Sequence, residues 1–446
     1  MNTMSNKNEI KIIGGGLAGI EAAWQAAKRN ISVTLYEMRP QRMTPAHTGD
    51  RLAELVCSNS LRAAGLGNAV GLLKEEMRRY DSLMMAAADA TAVPAGGALA
   101  VDRTLFSDYI EEKLFRHPCV KIVREEVLNL PDTLTVVAAG PLAAAALSKE
   151  ISAVTGKGLY FHDAIAPIIT EESVNTDICF WGSRYDKGDG DDYLNCPMSK
   201  EQYDNFYHAL INAELALLHD FDGDTTDGVE KTFEGCLPVE VLAKRGEHTL
   251  RYGPMKPVGI RLPDGSEAYA IVQLRRENAE GTMLNLVGFQ TRLKRGEQER
   301  VFRLIPGLEN CEIIRYGAMH RNTYIESPRL LYPDLRLKTH EHLLFAGQIT
   351  GVEGYVESGA CGLAAGINAS LIARGEQPLI FPRQTAIGSL LNYITVPTAD
   401  FQPMNINFSL MPTLPERIRN KKEKNLRIAA LALSATEEFM ASHGLR

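Results

Sequence analysis

The sequence predicts an α/β fold in which a Rossmann-like domain is interrupted by an inserted α+β domain. The chain opens with a strand, a glycine-rich turn, a helix and a second strand, which is the order that begins a doubly wound parallel sheet. The middle of the chain is richer in charged loops and turns, and an apolar strand followed by glycines returns near residue 342. We therefore expect residues 1–150 and 315–446 to form one discontinuous domain around an insertion at 151–314.

Composition narrows the class of protein. The 446 residues are 45% hydrophobic and 23% charged, as in a globular chain that buries a core without disulfides or metals. The net charge of −7 argues against a uniformly basic surface, although it allows a local basic face. The seven cysteines form no C-x-x-C pair and no zinc-like cluster with histidine. With no transmembrane run and no secretory signal at the polar start, we expect a cytoplasmic location, away from membranes.

The hydrophobic pattern predicts the individual elements. In the first part, the expected elements are a strand at 10–13, a helix at 20–29, strands at 31–36 and 134–139, and an alanine-rich helix ending near residue 149. In the remainder, they are strands at 268–274, 283–288 and 342–346, a helix of small residues at 358–374, and an amphipathic helix from about residue 425.

The turn after the first strand carries a G-x-G-x-x-G motif. Gly14 permits the tight turn, Gly16 lets the backbone approach a pyrophosphate, and Gly19 lets helix and strand pack closely. The helix N-terminus offers free N–H groups to phosphates, and Glu37 can accept a hydrogen bond from a ribose 2′-OH. The predicted dinucleotide-binding residues are Gly14, Gly15, Gly16, Leu17, Ala18, Gly19 and Glu37. The alternatives are a plain glycine turn and a fold that binds a methyl-donor nucleoside.

A second glycine turn, at Gly347 and Gln348, follows the strand predicted near the C-terminal end. Two such turns bracketing the chain are typical of folds that close over FAD, and a helix from about 354–358 would direct its N-terminus at the flavin. Gln348 stands where many flavoproteins have aspartate, so the alternative is a strand-turn-helix without ligand. No second G-x-G-x-x-G follows a strand, so the sequence predicts no separate Rossmann site for NAD(P)H.

Five strings in this sequence resemble those of the folate- and FAD-dependent tRNA uracil-5-methyltransferases. They lie in the family's order over nearly the whole chain, at residues 14–19, 54–62, 233–238, 315–325 and 345–366. A related family of flavoproteins, which modify the wobble uridine of tRNA, shares the FAD domain and the Gly-Tyr-x-Glu element. Those proteins are much longer because of an extra C-terminal helical domain, so the length of this chain favours the methyltransferases.

The resemblance implies a reductive methylation. Methylenetetrahydrofolate would donate the carbon, reduced FAD would relay it, NAD(P)H would supply reducing equivalents, and a T-loop uridine of tRNA would become 5-methyluridine. Because uracil C5 is a poor nucleophile, the chemistry needs a thiolate adding at C6 and a base that takes the C5 proton. The matching strings imply Cys236 as the nucleophile and Cys57 as the proton acceptor, the alternative for each being a small buried apolar residue.

His320 is a candidate for stacking on the folate ring, and its alternative is a loop histidine bonded to the backbone. A tRNA partner also requires basic residues, each of which could instead be part of a solvated face. The candidate clusters lie at 244–245, 275–276, 292–295 and 417–427. Other interpretations stay open: the same chemistry on ribosomal RNA, a flavin-bearing RNA-binding protein without methylation activity, and a small-molecule flavin oxidoreductase.

Overall fold

The computed structural model describes residues 9–44, 46–156, 159–186, 191–216, 237–398, 401–416 and 418–445, and of residues 159–164, 186 and 320–322 it describes the backbone only. The strands are β1 Glu9–Ile13, β2 Ser32–Glu37, β3 Ser60–Ala63, β4 Ala92–Val93, β5 Ala98–Val101, β6 Val120–Arg124, β7 Thr135–Val137, β8 Leu159–Ala164, β9 Ile168–Thr170, β10 Phe180–Gly182, β11 Tyr193–Met198, β12 Ala270–Arg276, β13 Met283–Leu286, β14 Ile313–Arg315, β15 Met319–Tyr324, β16 Arg336–Leu337 and β17 His340–Phe345. The helices are α1 Leu17–Ala27, α2 Ala69–Arg79, α3 Leu83–Ala90, α4 Arg103–Arg116, α5 Ala145–Thr155, α6 Lys200–Ile211, α7 Val239–Lys244, α8 Thr249–Tyr252, α9 Arg295–Phe302, α10 Ser327–Leu330, α11 Tyr355–Ala373, α12 Ala386–Tyr393 and α13 Lys421–Ser442.

The first sheet has the strand order β16-β17-β7-β1-β2-β6, and β16 is its antiparallel edge. The other five strands run parallel, and at the centre Ile12 of β1 lies between Leu35 and Val136. These three side chains are fully buried, as expected when helices cover both faces of a parallel sheet. The predicted Rossmann-like α/β fold is confirmed.

Two helices, α1 and α11, pack against each other beside this sheet. A Cβ at Gly362 would lie 2.1 Å from the carbonyl oxygen of Ala18, and one at Gly366 would lie 2.5 Å from that of Ala22. The two backbones are therefore in direct contact, which only glycine permits here. Helix α11 is long and apolar enough to cross a membrane, but 83% of its apolar 18-residue stretch is buried inside the molecule. Its buried residues belong to the hydrophobic core that also contains the side chains of the first sheet.

The second sheet is antiparallel, with the order β10-β11-β12-β13-β9-β14. It has its own hydrophobic core, which includes Tyr203 and Phe206 of α6, together with Phe289 and Phe302. Strands β8 and β15 form a separate two-stranded ribbon. The division of the chain into residues 1–150, 151–314 and 315–446 stays a prediction, although β14 pairs with β9 and ends one residue past the second boundary.

Helix starts differ from the sequence prediction for local reasons. Helix α1 begins at Leu17, three residues earlier than expected, because glycine is required inside its first turn rather than before it. A Cβ at Gly19 would lie 1.8 Å from the carbonyl oxygen of Gly14. Helix α13 begins at Lys421, because the Asn420 side chain caps it by accepting from the amides of Lys422 and Glu423.

Candidate active site

The carboxyl ends of β1, β2 and β7 open into a cleft with about 1070 Å³ of empty space, continuous with solvent. This is where parallel α/β sheets bind their ligands. The predicted cofactor residues that line the cleft are Gly14, Gly15, Gly16, Leu17, Ala18, Glu37, Gly347 and Gln348. Gly19 lies behind the lining, within α1. The structure therefore brings the two glycine turns to one cleft.

The first glycine turn has the geometry that its motif demands. Gly14 has a φ of +105°, and a Cβ there would lie 2.3 Å from the carbonyl oxygen of Ala138. At Gly16, in contrast, a Cβ would meet nothing within 4 Å. The first hydrogen bond within α1 runs from the Ile20 amide to the Gly16 carbonyl, so the preceding amides have no partner within the helix. The turn presents an open backbone edge and a helix N-terminus to the cleft.

Glu37 ends β2 at the edge of this cleft. Its carboxylate accepts hydrogen bonds from the Gly15 amide at 3.0 Å and from the Arg39 amide and Nε, both at 3.0 Å. Burial opposes ionisation of Glu37, but the hydrogen bonds and charge of Arg39 outweigh it, so the pKa of Glu37 is lowered. Arg39 is 1% exposed and also donates to Glu54 at 2.9 Å. The network connects the glycine turn to the segment that precedes Cys57.

The second glycine turn packs directly on the first. Gly347 has a φ of +83°, and a Cβ there would lie 2.7 Å from the Ala18 side chain. The Gln348 amide nitrogen donates to Glu353 at 2.7 Å, so this side chain is held by a neighbouring carboxylate. Glycine is required at 347 by both the positive φ and the close approach to α1.

Cys57 lies beside Tyr355, the first residue of α11. The Tyr355 hydroxyl oxygen accepts from the amides of Cys57 at 2.7 Å and Ser58 at 3.3 Å, and it lies 3.0 Å from the Cys57 Sγ. Because two amides occupy the oxygen's lone pairs, its own proton is directed at the sulfur. Burial and the neighbouring Cys57 raise the pKa of Tyr355 well above its ordinary value. The phenol stays protonated and can donate to Sγ.

The Cys57 loop, residues 55–59, leads into β3, and its last two residues are held by a strand of the second sheet. Arg275 of β12 donates from Nε to the Asn59 side chain at 3.0 Å and from Nη2 to the Ser58 hydroxyl at 2.9 Å. Asn59 in turn donates to the carbonyls of Val101 and Arg276 at 3.0 and 2.9 Å. Arg275 is 6% exposed. This member of a predicted RNA-contacting cluster is therefore an internal residue that fixes the loop.

Of two further predicted site residues, the structure describes only the backbone of one and nothing of the other. Cys236 lies outside the described residues, and His320 belongs to β15, opposite Asp163 of β8, with its side chain also outside the description. Among the residues that the structure does describe, no group of three or more His, Cys, Asp or Glu side chains could hold a metal ion.

Sequence reasoning missed the roles of Arg39 and Tyr355. Tyr355 lies in one of the strings that carried the resemblance, but nothing in that string indicates a contact with Cys57. Arg39 follows Glu37 by two residues, and this short spacing between opposite charges is a signal from which their pairing could have been predicted.

Comparison with known proteins gives a consistent result. The family model described as "Glucose inhibited division protein A" matches residues 9–377. A relative from Desulfitobacterium hafniense (strain Y51), named methylenetetrahydrofolate–tRNA-(uracil-5-)-methyltransferase TrmFO, is 58% identical over 98% of this chain and 99% of its own. A relative of the same name from Listeria innocua is 56% identical over 97% and 99%.

The solved structure of GidA from Aquifex aeolicus, in its form II crystal, superposes with a TM-score of 0.71. The likeness covers 100% of this chain and 75% of that one at 18% sequence identity, so it speaks for the fold alone. The sequence relatives are much closer, and they span the chain almost from end to end. The chain belongs to the methylenetetrahydrofolate–tRNA-(uracil-5-)-methyltransferase family, within the wider group described as glucose inhibited division protein A.

Proposed function

We propose that this protein transfers the one-carbon unit of methylenetetrahydrofolate to C5 of a tRNA uridine, forming 5-methyluridine. The observation that carries the proposal is the Cys57 thiol, which lies 3.0 Å from the Tyr355 hydroxyl at the edge of the cleft in a chain of this family. The T-loop as target, NAD(P)H as reductant and a cytoplasmic location are parts of the proposal that rest on the resemblance and composition.

The cleft fits FAD. The open edge at Gly16 leaves room for a pyrophosphate, and the N-terminus of α1 offers it unpaired amides. Glu37 is the acceptor for the adenosine ribose, where a hydroxyl would take the place of the longest of the four hydrogen bonds that its carboxylate now accepts, the one from Arg39 Nη2 at 3.3 Å. The Gly347 turn would lie against the remainder of the cofactor. When bound there, FAD would supply the redox chemistry of the one-carbon transfer.

The two cysteines divide the work on uracil. Cys236, which we assign from the sequence alone, forms a bond to C6 and so makes C5 nucleophilic. After C5 has taken up the carbon, the Cys57 thiolate accepts the C5 proton, and the bond from C6 to sulfur breaks to restore the ring double bond. The Tyr355 hydroxyl holds the Cys57 sulfur in place for this proton transfer.

The folate site is proposed next to this pair. His320 lies three residues before Thr323, whose amide donates to the carbonyl of Pro141 at 3.1 Å. Pro141 lines the cleft, so the backbone of β15 passes its edge. Substitution of His320 by alanine is expected to raise KM for methylenetetrahydrofolate while the bound FAD content stays unchanged. An unchanged KM would remove His320 from the folate site.

The deciding experiment is a transfer assay on unmodified tRNA with NADPH, with the label on the methylene carbon of the folate. Labelled S-adenosylmethionine is run in parallel, and ribosomal RNA is run as a second substrate. We expect labelled 5-methyluridine in tRNA from the folate alone, lost in Cys57→Ser and Cys236→Ser and kept in Cys119→Ser, because Cys119 precedes β6 at the amino end of the parallel strands, whereas the cleft is at their carboxyl ends. Label only from S-adenosylmethionine, or only in ribosomal RNA, would contradict the proposal.

The start of α13 is our candidate for phosphate contact. Arg419, Lys421 and Lys422 are exposed there, close together in sequence. Neutralising all three should flatten the dependence of log K for tRNA on log salt by up to about 2 to 3 units of slope. A variant with Lys113 and Arg116 neutralised, both exposed on α4, is the matched control. An unchanged slope would show that these three residues at the start of α13 do not contact tRNA phosphates.

A further inference from the structure

Arg103, the first residue of α4, lies against the backbone that leads into Cys57. Its Nη1 donates to the carbonyls of Leu55 and Val56, and its Nε forms an ion pair with Glu277 at 2.6 Å, just past the end of β12. Asp102 strengthens the same connection, since one oxygen caps α4 and the other accepts from the Ala279 amide at 2.9 Å. The start of α4 therefore ties the Cys57 loop to the second sheet.

The Arg103 guanidinium holds the loop by hydrogen bonds and also places a positive charge near Cys57. Burial opposes its protonation, but the charges of Glu277, Tyr355 and Cys57 outweigh burial and raise the pKa of Arg103, so it stays cationic. Its Nη2 is buried and has no hydrogen-bond partner among the described residues, and the same holds for Oε1 of Glu277. The ion pair is thus incompletely satisfied, and the cation retains unused capacity beside the thiol.

The other charged and titratable groups near Cys57 come from α11, β12, β14 and the loops beside them. Tyr355 of α11 contacts the sulfur directly, and Arg315 of β14 lies within electrostatic reach of Arg103, Tyr355, Glu54 and Glu277. Arg275, which donates to the hydroxyl of the neighbouring Ser58, is a further cation here and interacts with Arg103 and Glu277, so three cations and two carboxylates lie around the phenol and the thiol. Of these, Arg103 alone also holds the carbonyls of the residues just before Cys57.

We propose that Arg103 is a positioning residue whose cation favours the thiolate form of Cys57, and that Glu277 moderates its effect. The inference rests on the proposed role of Cys57 as proton acceptor. To accept the C5 proton, Cys57 must first release its thiol proton to solvent, and a nearby cation stabilises the thiolate that remains. Arg103 would then supply both the place and the charge that this proton transfer requires.

Alkylation of the holoenzyme by iodoacetamide tests the charge directly, because only the thiolate reacts. Trypsin releases residues 52–62, a peptide whose one cysteine is Cys57, so its reaction is counted separately by mass spectrometry. We expect Arg103→Gln to raise the pH midpoint of alkylation by about one unit and Arg103→Lys to restore most of the wild-type value. Glu277→Gln should lower the midpoint, since it removes the opposing charge.

The opposite shifts expected for Arg103→Gln and Glu277→Gln distinguish an effect of charge from the loss of a structural contact. Loss of a merely structural clamp would loosen the loop in both variants and move both midpoints in the same direction. Arg116→Gln, at the far end of α4 about 20 Å away, is the control and should leave the midpoint unchanged. Should Arg103→Gln fail to fold, a lowered midpoint in Glu277→Gln supports the proposal, and an unchanged or raised one overturns it.

The test is independent of the proposed function. If the wild-type protein transfers no label to tRNA, the proposed function fails, but the alkylation midpoints still show whether Arg103 acts on Cys57. If methylation is present and the midpoints do not move in opposite directions, only the role of Arg103 fails. If the proposed function and the role of Arg103 are both correct, Arg103→Gln should also lower kcat for methylation while KM for tRNA stays near the wild-type value.

Discussion

The dinucleotide cleft and the Cys57 loop are built in different ways. At the cleft, backbone sterics decide the structure: Gly14 and Gly19 stand where any Cβ would collide with a carbonyl oxygen. At the Cys57 loop, polar side chains decide it: Tyr355 and Arg275 reach the loop from residues 298 and 217 positions away in the chain. A local steric demand leaves a motif in the sequence, whereas a clamp of distant hydrogen bonds does not.

The largest expected effect separates two glycines of the same turn. Gly19→Ala places a Cβ 1.8 Å from a backbone carbonyl that cannot move freely, so we expect loss of FAD and a lower melting temperature. Gly16→Ala meets no protein atom within 4 Å, and its φ of −77° suits alanine, so the fold should be kept while FAD affinity falls. Visible absorbance of bound flavin and thermal unfolding measure the two effects. Equal melting temperatures in both variants would contradict the steric account.

Arg39 joins the two regions, and its loss should be nearly as damaging. Arg39→Met leaves Glu37 and Glu54 without their shared cation in a buried setting, at an expected cost of about 3 to 5 kcal/mol in the free energy of unfolding. The matched control is Arg42→Met, whose ion pair with Glu126 is half exposed and should cost below about 1 kcal/mol. Urea unfolding of the two variants gives the comparison. Similar costs for both would mean that the buried network contributes no more than a surface pair.

The same contrast explains how far the sequence could be interpreted. The parallel sheet, the helix after Gly14 and the cleft residues follow from local periodicity and glycine chemistry, so they were predictable. The clamp on Cys57 was not, because a single sequence does not show that Arg275 faces Ser58 across 217 positions rather than solvent. Arg275 was accordingly predicted to contact RNA and is instead buried. Cys57 was identified only through its string's resemblance, since its own residue type indicates a core position.

Lys74 should make the stability of the protein depend on pH through its contacts with β3, the strand that follows the Cys57 loop. It is fully buried in α2 and donates to the carbonyls of Leu61 at 2.6 Å and Arg62 at 3.3 Å. Burial and the charge of Arg62 lower the pKa of Lys74 to about 7 in the folded protein. Between that pKa and the unfolded value near 10.5, the unfolded chain binds more protons, so stability rises with pH.

The expected result is a difference between wild type and Lys74→Met in the free energy of unfolding that grows from pH 7 upward. Its slope should reach at most about 1.4 kcal/mol per pH unit. Lys113→Met, at an exposed position of α4, should keep the wild-type slope. A flat difference between pH 7 and 10 would show that Lys74 is charged in the folded protein throughout this range, and that the strand is held by an ammonium group.

The smallest effect on stability is expected at Tyr355. This substitution also tests whether the Tyr355 hydroxyl or the Cys57 thiol is the donor in the hydrogen bond between them. Tyr355→Phe removes the acceptor for the Cys57 and Ser58 amides, at an expected cost of about 1 kcal/mol. Tyr207→Phe, which loses one 3.3 Å hydrogen bond in the second core, is the control for removing a hydroxyl elsewhere. The more informative readout is alkylation of the peptide that carries Cys57. If the hydroxyl donates to Sγ, its loss removes support for the thiolate, and the pH midpoint rises by a fraction of a unit. A lowered midpoint would mean that the thiol donates to the phenol, which reverses the orientation inferred from the two amides.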